Sequence, residues 1–389
     1  MFFIDAYIGI KQARTTMVKM ETTEVDSELS LFKYGNLEAL PSEYRDISEE
    51  ERTQRIAAAR ETLGDDVLVL GHNYQRREIV EHADHIGDSY QLSEYAAESD
   101  AEHVVFCGVT FMAESADLLT DDDQAVYLPS MEASCPMAGM AEALQVDSAW
   151  ERITASVDGD AIPVTYMNSY ADLKAFCAEH GGLVCTSSNA DDAFEWAFER
   201  GETVVFLPDK HLGRNTANAM ELGDAVVEFD PWAEESSDDI GNASVVLWDG
   251  YCQVHERFTA EHVADAREDH PHATVVVHPE CRPEVVAAAD KTGSTATIRR
   301  TVEEADPGET VVVGTEIHLV NHLDRWHETD VVTLCGDACM DCNAMRQVDP
   351  NYLTWILEEL AAGREHNVVS VDPGVAASAK IALDRMLEL

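Results

Sequence analysis

Three cysteines lie within eight positions near the end of the chain, in Cys335-Gly-Asp-Ala-Cys339-Met-Asp-Cys342. Thiolates at this spacing are typical ligands of a soft metal, either zinc or an iron–sulfur cluster. Three small buried residues that fall together by chance are the alternative, which the close spacing disfavours. Close spacing does not require that all three bind one metal, so cysteines elsewhere in the chain have to be considered.

Those cysteines are positioned by a unit of helix, buried strand and polar segment that occurs three times. The predicted first strands, 66–70, 161–165 and 273–277, are short apolar runs typical of a parallel sheet buried on both faces. A period of about one hundred residues indicates three domain-sized copies rather than a solenoid. We therefore expect an α/β fold of three pseudo-symmetric α/β/α sandwich domains with parallel sheets around a central active site.

The predicted boundaries follow from this repeat. We expect repeats at 46–143, 144–258 and 259–389, the last with C-terminal helices, after an N-terminal extension at 1–45. Residues 1–20 carry three basic residues against one acid, in contrast to the acidic body. We hypothesise that Met17 or Met20 is the true start, which the intact mass of the native protein would test.

The last strand of each copy runs into a cysteine loop, which contains Cys135, Cys252 or the 335–342 segment. Ligands of open α/β sheets lie beyond the carboxyl ends of the strands. Three copies around a pseudo-threefold axis would therefore direct three thiolates at one point. The remaining cysteines fall elsewhere in the unit and are predicted to be small buried residues; these are Cys107, Cys177, Cys185 and Cys281.

Three protein thiolates suit a [4Fe–4S] cluster with one iron free to act as a Lewis acid. Zinc would need a fourth ligand, which His255 or His278 could supply. The first strands also end in residues suited to proton transfer, namely His72, Tyr74, Tyr166, Asn168, His278 and Glu280. Hydroxyl groups at helix-start-like turns can hold carboxylate or phosphate without adding positive charge; they belong to Ser89, Ser187, Ser294 and Thr295.

The charge is extreme, with 75 Asp and Glu against 26 Lys and Arg and a net charge of −49. Such a surface repels nucleic acid and anionic lipid. Strong salt, which shortens the Debye length to about 3 Å, makes its self-repulsion tolerable, and the composition resembles that of halophilic archaeal proteins. With neither an apolar membrane span nor a convincing signal peptide, we expect a cytoplasmic protein, whose nine cysteines are ligands or core residues rather than disulfides.

From about Asp46 onward the sequence resembles the quinolinate synthase (NadA) family, the iron–sulfur enzymes of de novo NAD synthesis. The resemblance rests on many motifs in the family's order. They are His72-Asn-Tyr-Gln, Gly87-Asp-Ser, Phe111-Met-Ala-Glu114, Tyr166-Met-Asn-Ser, Thr186-Ser-Ser-Asn, Pro208-Asp with Leu212-Gly213, Trp248-Asp-Gly-Tyr-Cys252-Gln-Val-His255-Glu256, His278-Pro-Glu-Cys281, Gly293-Ser-Thr and Gly314-Thr-Glu316.

The resemblance implies that iminoaspartate condenses with dihydroxyacetone phosphate to give quinolinate, phosphate and water. It implies cluster ligands Cys135, Cys252 and Cys342, because Cys342-Asn-Ala-Met345 fits the family's Cys-x-x-Met. The matching catalytic positions are Tyr74, His255, His278 and Glu280. The matching substrate-contacting positions are His72, Ser89, Tyr166, Asn168, Ser187, His278, Glu280 and Thr295. Coupling to an iminoaspartate-producing aspartate oxidase or dehydrogenase is a further expectation.

Other classes of protein explain less of the sequence. Cys335, Cys339 and Cys342 have the spacing of a radical S-adenosylmethionine motif, but this would leave Cys135 and Cys252 without a role. A metal-binding sensor or structural zinc protein would account for the cysteines but not for the polar strand ends, and the sequence offers no basic patch for DNA. A dehydrogenase or nucleotide hydrolase is disfavoured because neither G-x-G-x-x-G nor a phosphate-loop lysine motif occurs.

Overall fold

A computed structural model of the chain describes residues 40–233, 240–336, 339 and 341–389. The predicted extension therefore lies outside the described residues except for 40–45, and so do the two candidate start residues, Met17 and Met20. Within the described ranges, no helix is both long enough and apolar enough to span a bilayer.

The first long helix, α1 (Glu49–Leu63), begins after Ser48, which is its N-cap. The side chain of Ser48 accepts a hydrogen bond from the backbone N–H of Glu51 at 3.2 Å, which satisfies one of the free amides of the first turn. Gly64 ends the helix with φ of 58°, a conformation that glycine adopts without a Cβ clash.

The first repeat forms a sheet of short strands joined by helices. Its strands are β1 (Val67–His72), β2 (His85–Gly87), β3 (His103–Cys107) and β4 (Ala125–Tyr127). Its helices after α1 are α2 (Arg77–Val80), α3 (Ser89–Ala97) and α4 (Thr110–Leu119).

The second repeat follows the same order and inserts one additional strand. Its strands are β5 (Ala161–Tyr166), β6 (Leu183–Cys185), β7 (Thr203–Leu207), β8 (Val226–Phe229) and β9 (Val245–Trp248). Its helices are α5 (Ala143–Ser156), α6 (Ala171–Glu179), α7 (Ala190–Phe198) and α8 (Lys210–Ala219).

The third repeat is followed by a C-terminal segment of helices and one short strand. The repeat contains strands β10 (Thr274–Val277), β11 (Lys291–Thr292), β12 (Thr310–Gly314) and β13 (Asp330–Thr333), and helices α9 (Ala260–Asp269), α10 (Pro283–Ala288), α11 (Thr295–Glu303) and α12 (Ile317–Trp326). The segment contains α13 (Asn343–Arg346), α14 (Pro350–Ala361), β14 (Val368–Val369) and α15 (Pro373–Leu387).

The three sheets share one strand order. They read β2-β1-β3-β4, β6-β5-β7-β9 and β11-β10-β12-β13, with β8 added at the edge of the second and β14 at the edge of the first. Every pairing is parallel except that of β14 with β4. In each sheet the second strand lies on one side of the first strand and the third strand lies on its other side. A topological switch point therefore lies beside each first strand. The predicted α/β class with three parallel sheets is confirmed.

Burial follows from this layering. All six residues of β1 and all five of β7 are buried, because helices cover both faces of each sheet. The four cysteines predicted to be core residues are confirmed as such, since each is completely buried; they are Cys107, Cys177, Cys185 and Cys281.

The C-terminal segment returns to the earlier repeats. Helix α14 packs on α1, where Arg55 forms an ion pair with Glu358 at 2.6 Å. Helix α15 packs on α6 and β6, and its apolar residues Ala379, Leu383 and Met386 join the core of the second sheet. The end of the chain thereby connects the first two repeats.

Several elements are short. Helix α2 ends at Val80, because the chain turns there to enter the edge strand β2. Edge strands β2, β6 and β11 are only two or three residues long, too short for a periodic pattern to predict. The domain boundaries remain a prediction, since residues from 40 onward belong to one compact unit.

Candidate active site

A cavity of about 320 Å³ lies at the carboxyl ends of the strands and is lined by residues of all three repeats. Each first strand contributes a pair of side chains two positions apart. These pairs are His72 and Tyr74, Tyr166 and Asn168, and His278 and Glu280. The repeat thus delivers three equivalent polar pairs to one place, as ligand sites at strand ends require.

A second ring of polar groups follows the edge strands. Ser89 and Thr295 are the first residues of α3 and α11, and Ser187 lies three residues before α7. All three line the cavity. Among the described residues that line it, none is Lys or Arg. An anion held here would therefore rely on hydroxyl, amide and imidazole donors and on helix N-termini.

The three cysteines expected from the pseudo-threefold repeat, Cys135, Cys252 and Cys342, also line this cavity. Each is a free cysteine and is partly exposed as a residue, in contrast to the four completely buried cysteines. Each also begins a turn whose backbone N–H groups point back at its sulfur. The donors are Met137 and Ala138 for Cys135, His255 for Cys252, and Ala344 and Met345 for Cys342.

Burial determines the protonation of these thiols. It raises the pKa of Cys135 to about 12 and that of Cys342 to about 11, while the backbone N–H groups act in the opposite direction. Burial and the nearby Glu280 carboxylate raise the pKa of Cys252 well above its usual value. The free thiols are therefore neutral near pH 7, and a metal that binds them must displace their protons.

The other two cysteines of the opening motif behave differently. Cys335 and Cys339 form a disulfide, and neither lines the cavity. The expectation that no cysteine forms a disulfide is wrong at this pair. The two cysteines are four positions apart in the chain after β13, and their Cα–Cα distance of 5.1 Å lies within the range of a disulfide.

His255 lies behind the cavity wall and is only 1% exposed. Its Nδ1 lies 2.7 Å from the Glu280 carboxylate, and its Nε2 lies 3.0 Å from Oγ1 of Thr315. Because a carboxylate only accepts hydrogen bonds, Nδ1 carries the proton and Nε2 is left to accept one from Thr315. The Thr315 oxygen lies 2.8 Å from the hydroxyl of Tyr74, which lines the cavity.

On the other side of Glu280, the hydroxyl of Tyr166 hydrogen-bonds the carboxylate and also the side chain of Ser187. Burial alone would raise the pKa of Glu280, but His278, His255 and the Tyr166 hydrogen bond lower it to about 2. Burial raises the pKa of Tyr74 and Tyr166 well above 10. The resting site thus contains an ionised carboxylate between a protonated tyrosine and a histidine.

His72 and His278 occupy equivalent positions and are fixed in the same way. The Nδ1 atom of His72 accepts the backbone N–H of Tyr74 at 3.1 Å, and that of His278 accepts the N–H of Glu280 at 3.3 Å. Burial lowers the pKa of both imidazoles to about 3. Both are therefore neutral, with Nε2–H as a donor toward the cavity.

A buried lysine supports the second polar pair. Lys174 of α6 is completely buried, and its Nζ donates hydrogen bonds to the carbonyl oxygens of Met167, at 3.0 Å, and Ser169. The N–H of Ser169 bonds the Met167 carbonyl at 2.8 Å, which forms a tight turn centred on Asn168. Lys174 therefore fixes the backbone that presents Asn168 to the cavity.

The other predicted catalytic, substrate-contacting and cluster-ligand residues line the cavity, whereas His255 is set behind it. Ser294, which was expected among the anion-binding hydroxyls, is buried and does not line the cavity. Sequence reasoning gave no role to Thr315 or Lys174. Thr315 belongs to the motif Gly314-Thr-Glu316, which supports the family resemblance but does not indicate what the threonine does. Cys252, His255 and Glu280 also form a group whose ligand atoms lie within 4.8 Å of one another, a candidate metal-binding group.

Comparisons with known proteins agree with this geometry. The family model described as "Quinolinate synthetase A protein" (NadA) matches residues 54–388. A curated quinolinate synthase of Halobacterium salinarum is 70% identical over 95% of this chain and 100% of its own length. The quinolinate synthase of Haloarcula marismortui is 66% identical over the same shares, and that of Corynebacterium glutamicum is 48% identical over 90% of this chain and 91% of its own.

Proposed function

The chain belongs to the quinolinate synthase (NadA) family, and on this premise we propose that it condenses iminoaspartate with dihydroxyacetone phosphate to form quinolinate, phosphate and water. One observation carries the proposal for this chain. Three free thiols and three polar pairs, contributed by all three repeats, line a single cavity. Such a cavity combines metal ligands, proton-transfer groups and anion-binding hydroxyls, which a condensation with loss of phosphate and water requires.

We infer that Cys135, Cys252 and Cys342 hold a [4Fe–4S] cluster. The donor set fits this group, because three unpaired thiols share one cavity and backbone N–H groups point at each sulfur. No fourth cysteine of the described residues lines the cavity, so one iron would lack a protein thiolate. When bound, such a cluster supplies a Lewis acid that binds a substrate oxygen or nitrogen.

The polar groups of the cavity would hold the two anionic substrates. Ser89, Ser187 and Thr295 offer hydroxyl groups at the edge-strand turns, and Asn168 offers its amide. His72 and His278 add neutral Nε2–H donors, because their Nδ1 atoms already accept backbone N–H groups. Neutral donors bind carboxylate and phosphate without the persistent charge that would also retain a released phosphate.

The remaining groups would move the protons for keto–aldo isomerisation and dehydration. Tyr74 can pass its hydroxyl proton through Thr315 to Nε2 of His255, while Nδ1–H stays bonded to Glu280. The Glu280 carboxylate stabilises the imidazolium that forms. Tyr74 would thus act as base on a substrate C–H or O–H and later return the proton as acid. His278 stacks on His255 with centroids 4.5 Å apart and completes the wall beside Glu280.

The competing functions have less support. A radical S-adenosylmethionine site needs the thiolates of Cys335 and Cys339, which form a disulfide outside the cavity. A zinc-binding sensor is the second candidate, because Cys252, His255 and Glu280 form a group that could hold a metal. That role leaves the Tyr74–Thr315 connection and the hydroxyls at the edge-strand turns without a purpose.

We place the enzyme in the cytoplasm, where its unstable substrate iminoaspartate would come from an aspartate oxidase or dehydrogenase. The net charge of −49 leads us to propose high salt as its working medium. The halophilic resemblance noted in the composition matches the halobacterial relatives named above.

The decisive experiment is an anaerobic assay of the iron–sulfide-reconstituted protein in high salt. Quinolinate and phosphate should appear together from iminoaspartate and dihydroxyacetone phosphate. Cys252→Ala should form neither, whereas the matched control Cys107→Ala, which alters a buried cysteine away from the cavity, should remain active. Absence of quinolinate from the fully reconstituted wild-type protein would refute the proposal.

A further inference from the structure

Two buried acids occupy equivalent positions in the second and third repeats. Asp209 lies two residues after β7 and Glu316 two residues after β12, and both are 0% exposed. Each is the N-cap of the following helix, α8 or α12. An N-cap on the surface needs no burial, and burying a carboxylate is costly unless it is bonded. Because the arrangement occurs in two repeats, we expect these buried acids to do more than cap their helices.

Glu316 connects its helix to the loop of a cluster cysteine. One carboxylate oxygen, Oε2, accepts the backbone N–H of His318 at 2.7 Å, which caps α12. The other, Oε1, accepts the backbone N–H of Cys342 at 3.1 Å and lies 2.9 Å from Nδ1 of His318. The helix N-terminus and the cysteine are thus held by one side chain.

Asp209 has the corresponding place beside Cys252. Its Oδ1 accepts the backbone N–H groups of His211 at 2.8 Å and Leu212 at 2.9 Å. Its Oδ2 is buried with no partner within hydrogen-bond distance among the described residues, and the backbone N–H of Cys252 points toward the carboxylate. The backbone N–H of Lys210 also bonds the Gly250 carbonyl at 2.8 Å, which fixes the same loop.

The first repeat uses a neutral arrangement instead. Val109 stands at the equivalent position and provides no side-chain cap. The next residue, Thr110, donates from its backbone N–H at 2.9 Å and its hydroxyl at 3.0 Å to the carbonyl of Ala133, two residues before Cys135. The loop of Cys135 is therefore fixed without a carboxylate, whereas those of Cys252 and Cys342 each have one.

We propose that Asp209 and Glu316 are positioning residues of the metal site, which fix the backbone at Cys252 and Cys342 and place one buried carboxylate beside each. This inference rests on the proposed function and extends it to residues that do not line the cavity. Groups that orient metal ligands typically change metal affinity about 10- to 100-fold when they are replaced. The net charge and hydrogen bonds around a cluster also set its reduction potential.

The test compares Asp209→Asn and Glu316→Gln with the wild-type protein after anaerobic reconstitution in high salt. Asparagine caps helices as well as aspartate does, so α8 should persist in the first variant. We expect an iron chelator to bleach the visible absorption of each variant about 10- to 100-fold faster. We also expect the midpoint potential of Glu316→Gln, measured by a redox titration followed by EPR, to rise, because a negative charge is removed. Burial raises the pKa of Asp209 well above its usual value, so Asp209→Asn is judged by its bleaching rate alone.

Two further variants separate position from charge. Glu316→Asp keeps the charge and the helix cap but is one methylene shorter, so it should lose the Cys342 contact and accelerate bleaching without a rise in potential. Thr110→Val removes the neutral bond at the Cys135 loop and should leave the potential unchanged. A melting temperature within a few degrees of the wild-type value would show that each variant is folded.

The expected acceleration of bleaching is about 10- to 100-fold. The inference is overturned, and the proposed function left intact, if the bleaching rate stays within about twofold of the wild-type rate in all three carboxyl variants, Asp209→Asn, Glu316→Gln and Glu316→Asp. A wild-type protein that takes up no cluster would overturn the proposed cofactor and this inference with it. The two failures are therefore distinguishable in one set of reconstitutions.

Discussion

The hydroxyl of Tyr74 lies 2.8 Å from Oγ1 of Thr315, although 241 positions separate the two residues along the chain. Tyr74 follows β1 of the first repeat and Thr315 follows β12 of the third. The same threonine oxygen reaches Nε2 of His255 from the second repeat at 3.0 Å. Each repeat thus supplies one member of a hydrogen-bonded chain that ends at the Glu280 carboxylate, and no single repeat could form it.

The first prediction concerns this chain. Thr315→Val preserves the shape of the side chain but removes the hydroxyl through which Tyr74 and His255 communicate. Because positioned proton transfer contributes typically 10²- to 10⁴-fold, we expect kcat to fall by about two orders of magnitude while KM changes little. Steady-state quinolinate formation and the visible spectrum of the cluster would be measured together.

Thr315→Ser is the matched control, because it retains the hydroxyl and removes only a methyl group. It should recover most of the activity. If Thr315→Val retains wild-type kcat with an intact cluster, then Tyr74 does not exchange its proton through this residue.

The second prediction concerns the cysteines. Alanine at Cys135, Cys252 or Cys342 should abolish the reconstituted cluster, since each removes one of the thiols that line the cavity. Cys335→Ala should retain both cluster and activity, because that sulfur forms a disulfide outside the cavity. Iron and sulfide content per chain is the measurement. Loss of the cluster in Cys335→Ala would favour the radical-type assignment instead.

The third prediction concerns the buried Lys174. Lys174→Met removes the donor to the Met167 and Ser169 carbonyls. The Met167 carbonyl still accepts the N–H of Ser169, but the Ser169 carbonyl loses its lysine donor, and a buried acceptor left unsatisfied costs about 1–3 kcal/mol. We expect the free energy of unfolding to fall by about 1–3 kcal/mol. We also expect KM to rise, because the turn that presents Asn168 is released. Urea unfolding and steady-state kinetics would be compared.

Leu173→Ala is the control for stability. Leu173 is the neighbouring residue on α6, but its side chain belongs to a hydrophobic core that includes residues of β7 and β9. A buried Leu→Ala change costs about 2–5 kcal/mol, so the loss of stability is similar. An equal rise in KM in both variants would mean that Lys174 acts only through general stability.

The fourth prediction concerns pH. Burial lowers the pKa of His72 and His278 from 6.5 to about 3, so the unfolded chain binds protons between these values and the folded chain does not. The contribution of these two histidines to stability is therefore constant above about pH 6.5 and falls as the pH drops toward 3, by up to about 1.4 kcal/mol per pH unit for each histidine. The lowered pKa of Glu280 acts in the same direction below pH 4.5. Urea unfolding of the apo-protein at constant salt, from pH 7 to 5, would measure the slope.

His72→Asn should reduce that slope by about one proton, since asparagine cannot titrate but can still accept the Tyr74 N–H. An unchanged slope in His72→Asn would mean that His72 is not held neutral in the folded protein.

The positions of the central strands could be predicted from the sequence because their apolar runs are long and repeated. The three predicted first strands appear in the structure as β1, β5 and β10. The same repetition predicted that Cys135 and Cys252 would lie close to a C-terminal cysteine. In the structure, Cys135, Cys252 and Cys342 line one cavity. The repeat allows this prediction because side chains at equivalent positions of three similar copies point in equivalent directions.

The contacts between repeats could not be predicted in this way. Thr315 lies between a glycine and a glutamate, and nothing local shows that its hydroxyl meets residues of two other repeats. His255 was expected among the catalytic residues, yet its place behind Glu280 depends on how the second and third repeats meet. The disulfide of Cys335 and Cys339 depends on the conformation of one turn, which composition does not report.

The way the chain ends bears on how the molecule loses its structure. Because β14 pairs with β4 and α15 packs on α6, the last residues bind the first and second repeats together after the third is complete. Three copies linked only in series could open one after another, each as a separate cooperative unit. Here the first and second repeats cannot separate until β14 and α15 have detached from them. Trimming the chain before Val368 should therefore convert a single unfolding transition into several, and the shared cavity should be lost in the first of them.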